Sequence, residues 1–168
     1  MMTMPRRSLL RSVLFGLALA VFVGGAAQAS HYRLPIKDRP IVNADELRAL
    51  AGQGIGTTLA LFQRTAKLAD RKELAAKSGI PMERLTELAC QVDLLRVIGV
   101  GPSMMRLLQL AGVRHAGDLA AAGADDLLTR LEAANAAQKV ADVLPRVEIV
   151  ADWIGKAKAL PSLLEGVQ

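Results

Sequence analysis

The chain has 168 residues, of which 52% are hydrophobic and 3% aromatic, and it carries a formal net charge of +5. One cysteine excludes an internal disulfide framework, and one cysteine with two histidines excludes a zinc finger or ribbon. The 22% of charged residues and the modest Gly and Pro content favour one packed domain over disorder.

The first 29 residues have the pattern of a secretory signal peptide. Arginines at positions 6, 7 and 11 precede an apolar run over residues 13–23, and Ala27 and Ala29 supply the small residues that a signal peptidase needs. The uninterrupted apolar stretch of 15 residues (13–27) is shorter than the roughly 20 of a membrane-spanning helix. We therefore expect cleavage after Ala29, no stable membrane span, and export to the periplasm or the extracellular space. The Sec route is favoured, and the arginine pair leaves the twin-arginine route open.

Cleavage changes the charge balance of the chain. It leaves 139 residues and removes three of the 21 basic residues and none of the 16 acidic ones, so the net charge falls from +5 to +2. The aromatic residues that remain are Tyr32, Phe62 and Trp153. A nearly neutral chain with three aromatic rings and no basic patch argues against nucleic-acid binding.

An arm and a series of helices are predicted in chain order. Residues 30–42 contain two prolines and no helical period, which predicts an extended arm. Caps and apolar spacing predict helices that begin at Asn43, at Thr57 or Thr58, at Asp70, at Pro81, at Pro102, at His115, at Asp125, at Asn135 and at Pro145. No segment alternates with period two, so the predicted class is all-α: a compact multi-helix domain over residues 43–160, followed by a tail over 161–168.

Two similar glycine turns suggest an internal duplication. Both have the form Gly-aliphatic-Gly, lie 45 residues apart, and consist of Gly54, Ile55 and Gly56 and of Gly99, Val100 and Gly101. A Leu-Ala pair and a turn of small residues follow each of them in the same order. We therefore predict two pseudo-duplicated halves around one core, because a solenoid would need three or more repeats.

The turns admit two interpretations. Glycines allow positive φ, so the aliphatic residue can point inward while the next helix presents free N–H groups that could bind a phosphate oxygen. Alternatively, each turn is only a compact connection between two helices. The nearest cations are Arg96 and Arg106 at the second turn and Arg48 and Arg64 at the first, and these would have to converge around both turns in a phosphate-binding protein.

Residues 93–131 (DLLRVIGVGPSMMRLLQLAGVRHAGDLAAAGADDLLTRL) resemble the helix-hairpin-helix-like core of the bacterial domain-of-unknown-function family numbered 4332. The residues around Trp153 and Lys158 match the end of that pattern, and the resemblance covers roughly residues 41–160. It implies a compact helical domain with paired helix-hairpin-helix-like turns, and it assigns no catalytic residues to this chain. The chain departs from DNA-gripping modules in lacking a base directly after Gly56 or Gly101 and in placing bulky Met105 where a small residue is usual, which favours packing.

The remaining polar residues have ordinary structural interpretations. Cys90 on an apolar helix is predicted to be a buried thiol, His115 a surface or capping residue, and Met104 and Met105 core fillers. His31, near the expected new N-terminus, is predicted to lie in a disordered end. Asp125 is predicted to cap a helix, since adjacent carboxylates on a helix do not face one another.

These patterns predict a non-enzymatic, exported binding or scaffolding module without a cofactor or metal, whose partner is another protein or envelope component. The alternative is an exported, sequence-independent nucleic-acid-binding protein that uses its glycine turns. An enzyme would require a pocket that joins His115 to carboxylates distant in the sequence.

Overall fold

Eight α-helices make up most of the part of the chain that the structure, a computed structural model, describes (residues 32–34 and 40–167). They are α1 (Ala44–Gly52), α2 (Thr58–Thr65), α3 (Leu68–Ser78), α4 (Met82–Leu94), α5 (Pro102–Leu110), α6 (Ala116–Ala121), α7 (Ala124–Gln138) and α8 (Val147–Ala159). The all-α prediction is confirmed. None of these eight helices has both the length and the apolar character of a membrane span. The predicted signal peptide, its cleavage site and His31 lie outside the described residues.

Local capping signals explain where several helices begin. The Asn43 side chain accepts hydrogen bonds from the backbone N–H groups of Asp45 and Glu46, both 2.9 Å long, and the Glu46 carboxylate accepts one from the Asn43 N–H. This is the predicted capping box. The Thr57 side chain caps α2, and Pro102 is the first residue of α5. These predictions depended on neighbouring residues alone, and the structure confirms them.

Three predicted helix starts and one predicted helix are wrong. The last helix, α8, begins at Val147, two residues after the predicted Pro145. α3 begins at Leu68, before Asp70, and α7 begins at Ala124, so Asp125 lies in its first turn and does not cap it. The helix predicted over residues 135–143 does not form as a separate element. α7 ends at Gln138, Lys139 has a positive φ of 49°, and the Asn135 side chain bonds both the N–H and the carbonyl of Ala141. The Asn135 amide therefore binds the Ala141 N–H, which a continued helix would use itself.

The two glycine turns occupy corresponding places in the core. Ile55 and Val100 are each 1% exposed, and Leu74 and Leu119, one helix further on, have no exposed surface. The helices around them pack differently, since α2 contacts α3 and α4, whereas α5 contacts α7 and α6 packs against α8. The two halves therefore have the predicted sequence of turn, helix and Leu-containing helix, but their helices pack against different neighbours.

Both ends of the described chain pack against the helices. In the predicted arm, Leu34, Ile41 and Val42 are buried, and Arg33 forms an isolated antiparallel bridge with Thr57. In the predicted tail, the Glu165 N–H donates to the Ala66 carbonyl at 2.8 Å. The helical core is therefore covered by segments on both sides of it.

Candidate functional site

The first glycine turn is occupied by the protein's own backbone. Gly54 has a positive φ of 73°, and Ile55 donates its N–H to the Leu50 carbonyl at the end of α1. The arm then pairs with the residues after the turn: the Leu34 N–H donates to Gly56, and the Thr58 N–H donates to Tyr32, both at 2.9 Å. Because Thr57 also caps α2, most of the N–H groups that could have held a phosphate already have acceptors within the chain.

The second glycine turn is held against Trp153. Gly99 has the positive φ, 97°, and a Cβ atom added to it would come within 2.8 Å of the Trp153 Nε1 atom. Gly101, the second glycine of this turn, does not have a positive φ. Gly101 has a φ of −88° as the residue before α5, and the nearest atom to an added Cβ there is the Tyr32 hydroxyl at 3.7 Å. The steric requirement for glycine therefore lies one position before Val100.

The start of α5 differs from the start of α2. No side chain caps α5, and its first residue is Pro102, which has no N–H. Arg106 is exposed in the second turn of this helix. Of the helices that follow the two glycine turns, α2 has a side-chain cap and α5 has none.

Arg96, predicted as a phosphate contact, is engaged inside the fold. Its guanidinium pairs with the Asp93 carboxylate at 2.6 Å, donates to the Pro161 carbonyl at 3.2 Å, and lies 4.5 Å from the centre of the Phe62 ring. Asp93 is itself buried and accepts a hydrogen bond from the N–H of Ala116, the first residue of α6. Arg96 and Asp93 thus connect the end of α4 to α6 and to the tail, and phosphate contact by Arg96 stays a prediction.

The four arginines near the turns have separate surroundings. Arg48 is exposed and pairs with Asp45 on α1, and Arg64 lies half-buried on α2. Arg96 and Arg106 line different cavities, one under the tail and one beside α5. No hydrogen bond or ion pair within the described residues joins two of them to a common partner.

Cys90 and His115 lie where their structural interpretations place them. Cys90 is a buried free thiol, and burial raises its pKa, which disfavours the reactive thiolate at neutral pH. His115 precedes α6, and its Nδ1 accepts from the Gly117 N–H at 3.1 Å. Its Nε2 lies 3.4 Å from an Asp118 oxygen. Within residues 32–34 and 40–167, no group of three His, Cys, Asp or Glu side chains could hold a metal ion.

A buried arginine that the sequence did not single out connects α3 to α4, to the end of α2 and to the C-terminal tail. Arg71 on α3 has no exposed surface, and its guanidinium donates to the carbonyls of Thr65, Ala66 and Glu165 and to the Thr86 hydroxyl. Burial lowers the pKa of the guanidinium. Arg71 lies between two acidic residues in a charged run, Asp70 and Glu73, so the sequence offered no signal that distinguished it from a solvated surface residue.

An open groove lies between α4 and α5, and the sequence patterns did not predict it. We call it the α4–α5 groove; it has a volume of about 420 Å³, and its lining comprises Arg84, Glu87 and Gln91 of α4, Pro102, Met105, Arg106 and Gln109 of α5, and Pro40 and Ile41. On each helix these residues recur at spacings of three and four, so the groove is formed by two facing helical stripes. A groove of this volume can hold part of a peptide or a small polar molecule.

A protein-family model described as a domain of unknown function, DUF4332, matches residues 40–160. No curated protein and no solved structure matches the chain.

Proposed function

We propose that this chain, which belongs to the DUF4332 family, is a non-enzymatic helical module that binds another protein or an envelope component. The observation that supports the proposal is the use of the glycine turns. Ile55 and Val100 are core residues, the arm covers the first turn, and Arg96 pairs with buried Asp93. The turns thus contribute to packing, and the α4–α5 groove is left as an open surface of mixed polarity.

The environment of the polar residues is also consistent with binding rather than turnover. The Cys90 thiol has a raised pKa, and both nitrogens of His115 have neighbours on α6. Asp93 binds Arg96 and the Ala116 N–H. Each of these groups has a structural role of its own.

Export is part of the proposal and rests on the N-terminal sequence. Arginines 6, 7 and 11, the apolar run and the Ala27 and Ala29 pair have the pattern of a signal peptide. Expression of the full chain followed by cell fractionation and N-terminal sequencing tests this. We expect a secreted or periplasmic product that begins at Ser30, and a product that retains Met1 in the cytoplasm would refute it.

Crosslinking tests the binding function. Cells that express the full chain are treated with a crosslinker, and complexes from the envelope fraction are identified by mass spectrometry. We expect one or a few reproducible protein partners. Turnover of a substrate that is lost when a single polar side chain is replaced would contradict the non-enzymatic proposal.

Nucleic-acid binding is the second candidate, and one observation favours it. The N-terminus of α5 carries no side-chain cap, and Arg106 lies exposed one turn further along that helix. Helix N-termini hold phosphate groups through their free N–H groups and contact no base edge, so any such binding would be independent of base sequence.

A further inference from the structure

We infer that the α4–α5 groove binds an acidic peptide segment of a partner protein, with Arg106 pairing to a carboxylate of that segment. This inference rests on the proposed protein-binding function and names the chemistry of the partner. It is carried by the cation of the groove that has no paired carboxylate in the described chain, by the hydrogen-bonding groups on its floor, and by its apolar rim.

The two arginines of the groove have different electrostatic surroundings. Arg84 bonds Glu46 through two nitrogens, at 2.7 and 3.1 Å, and Glu87 through a third at 2.7 Å. It also donates to the Ile41 carbonyl at 2.7 Å. The two carboxylates neutralise Arg84 and take up its donors, so Arg84 has little capacity left for a ligand.

Arg106 is exposed and has no carboxylate partner among the described residues. Glu46 and Glu87 both pair with Arg84, so Arg106 is the cation of the groove lining that has no paired carboxylate within the part of the chain described. A guanidinium binds a carboxylate in a bidentate geometry. Arg106 can therefore pair with one carboxylate of a ligand, and a polyanion is disfavoured because it would place further negative charge beside Glu46 and Glu87.

The floor of the groove contains an unpaired acceptor. The Gln91 Nε2 atom lies 3.4 Å from the Oε1 atoms of both Glu87 and Gln109, which fixes the orientation of its amide, because the reverse orientation would bring three oxygens together. The Gln91 side-chain oxygen is then buried without a hydrogen-bond donor. An unpaired buried acceptor is unfavourable, so a small rotation that lets it accept a peptide N–H would stabilise a complex.

The amide of Gln109 adds donors to the same surface. Its oxygen faces Gln91, so its NH₂ group points away from that contact, one helical turn from Arg106. Pro40, Ile41, Pro102 and Met105 form the apolar part of the lining. An extended acidic peptide has a matching group for each of these features. Its carboxylate would pair with Arg106, its backbone amides with the Gln91 and Gln109 side chains, and an apolar neighbouring residue with the rim.

A peptide array tests the inference. The full chain, expressed with its own leader and purified, is applied to heptapeptides with Glu, Gln or Lys at the centre and every residue type at the flanking positions. We expect selection of Glu-centred peptides with apolar neighbours, and at least about fivefold weaker binding of the matched Gln peptides in solution. Equal binding of the Glu, Gln and Lys series, or no binding of any, would overturn the inference.

Two charge reversals of equal size locate the site. Arg106→Glu should abolish the preference for Glu-centred peptides, whereas Arg48→Glu, on α1 outside the groove, should leave it intact. Circular dichroism confirms that both variants stay folded, as expected for exposed positions. Loss of binding in both variants, or in neither, contradicts a site at the α4–α5 groove.

The crosslinking experiment separates this inference from the proposed function. If Arg106→Glu removes the partner that the unaltered chain captures, both stand. If the variant still captures that partner, the protein-binding function stands and the groove is not the site. If the unaltered chain captures no partner while the Glu-centred peptides bind, the groove is a peptide site and the proposed function fails.

Discussion

The buried guanidinium of Arg71 donates a hydrogen bond to the backbone carbonyl of Glu165, 94 residues further along the chain. Glu165 returns two contacts to the turn between α2 and α3: its N–H donates to Ala66, and its carboxylate accepts from the Leu68 N–H at 3.0 Å. Lys67 precedes α3 and provides no side-chain cap, so Glu165 supplies that cap from the other end of the chain. The last residues of the described chain are therefore part of the folded structure.

Replacement of Arg71 should be strongly destabilising. Arg71→Ala removes a fully buried side chain and leaves the carbonyls of Thr65, Ala66 and Glu165 without this donor. Cavity formation and unpaired buried acceptors together should lower the free energy of unfolding by about 3 kcal/mol or more. Urea denaturation followed by Trp153 fluorescence measures the loss.

Truncation provides the matched test of this prediction. Deletion of residues 163–168 should also destabilise, and its effect should be smaller in the Arg71→Ala background than alone, because both changes remove the contact between Arg71 and Glu165. Lys77→Ala, an exposed position on the same helix, should change stability by no more than about 0.5 kcal/mol. Fully additive effects of truncation and Arg71→Ala would show that the Arg71–Glu165 contact does not stabilise the fold.

Gly99 should not tolerate a side chain. In Gly99→Val the new residue must keep a φ of 97°, and its Cβ would lie 2.8 Å from Trp153 Nε1, so the indole or the turn must move. Strain of this type costs about 1–3 kcal/mol. The midpoint of urea denaturation should fall accordingly, and the fluorescence of Trp153, which is buried, should report the change in its surroundings.

Gly101 supplies the control for this prediction. Its φ of −88° is accessible to any residue, and an added Cβ would meet only the Tyr32 hydroxyl at van der Waals distance. Gly101→Ala should therefore leave the denaturation midpoint close to that of the unaltered chain. If the midpoint falls more in Gly101→Ala than in Gly99→Val, the requirement for glycine lies at Gly101, and the prediction for Gly99 is wrong.

Stability should fall in acid partly through Glu46. The hydrogen bond from Arg84 holds the pKa of Glu46 below its ordinary value, and the Asn43 N–H acts in the same direction. A carboxylate with a lowered folded-state pKa contributes stability above its unfolded pKa, about 4.3, and loses it as the pH falls through the folded value. Glu46→Gln should reduce stability at pH 7 and make the remaining stability less dependent on pH below about 4.5.

Glu73 is the comparison for the acid dependence. Its pKa is also lowered, chiefly by a hydrogen bond from Lys77, but both side chains are more than half exposed, where solvent screens the interaction. Glu73→Gln should therefore change the pH profile much less than Glu46→Gln. Equal changes in the two profiles would show that the Glu46–Arg84 pair has no special role.

Duplex DNA should bind weakly or not detectably. With Arg96 held by Asp93 and the first turn covered by the arm, few contacts remain, and we expect a Kd of about 10⁻⁴ to 10⁻⁶ M or weaker at physiological salt. Titration of labelled duplex at 150 mM salt (about physiological ionic strength) measures it. Arg106→Glu is the informative variant, since reversing Arg96 would also break a buried ion pair. Submicromolar affinity that Arg106→Glu abolishes would make nucleic-acid binding the leading function.

Features that depend on neighbouring residues were predicted well from the sequence. The capping box at Asn43, the start of α5 at Pro102 and the inward position of Ile55 and Val100 each follow from a cap, a proline or a glycine pair within a few residues. The prediction over residues 135–143 was wrong although it was also local, because helix propensity did not show that the Asn135 side chain would bond Ala141.

The sequence by itself determined the all-α class, the order of the helices and the place of both glycine turns, because caps, breakers and apolar spacing act over a few residues. Only the tertiary structure decided which polar residues are internal. Arg71 and Arg96 resemble surface cations in the sequence, and their carbonyl acceptors at Glu165 and Pro161 lie 94 and 65 residues away. Arg106 has the same residue type and stays exposed. A charged side chain becomes structural or available according to what the fold places beside it, and no local pattern contains that information.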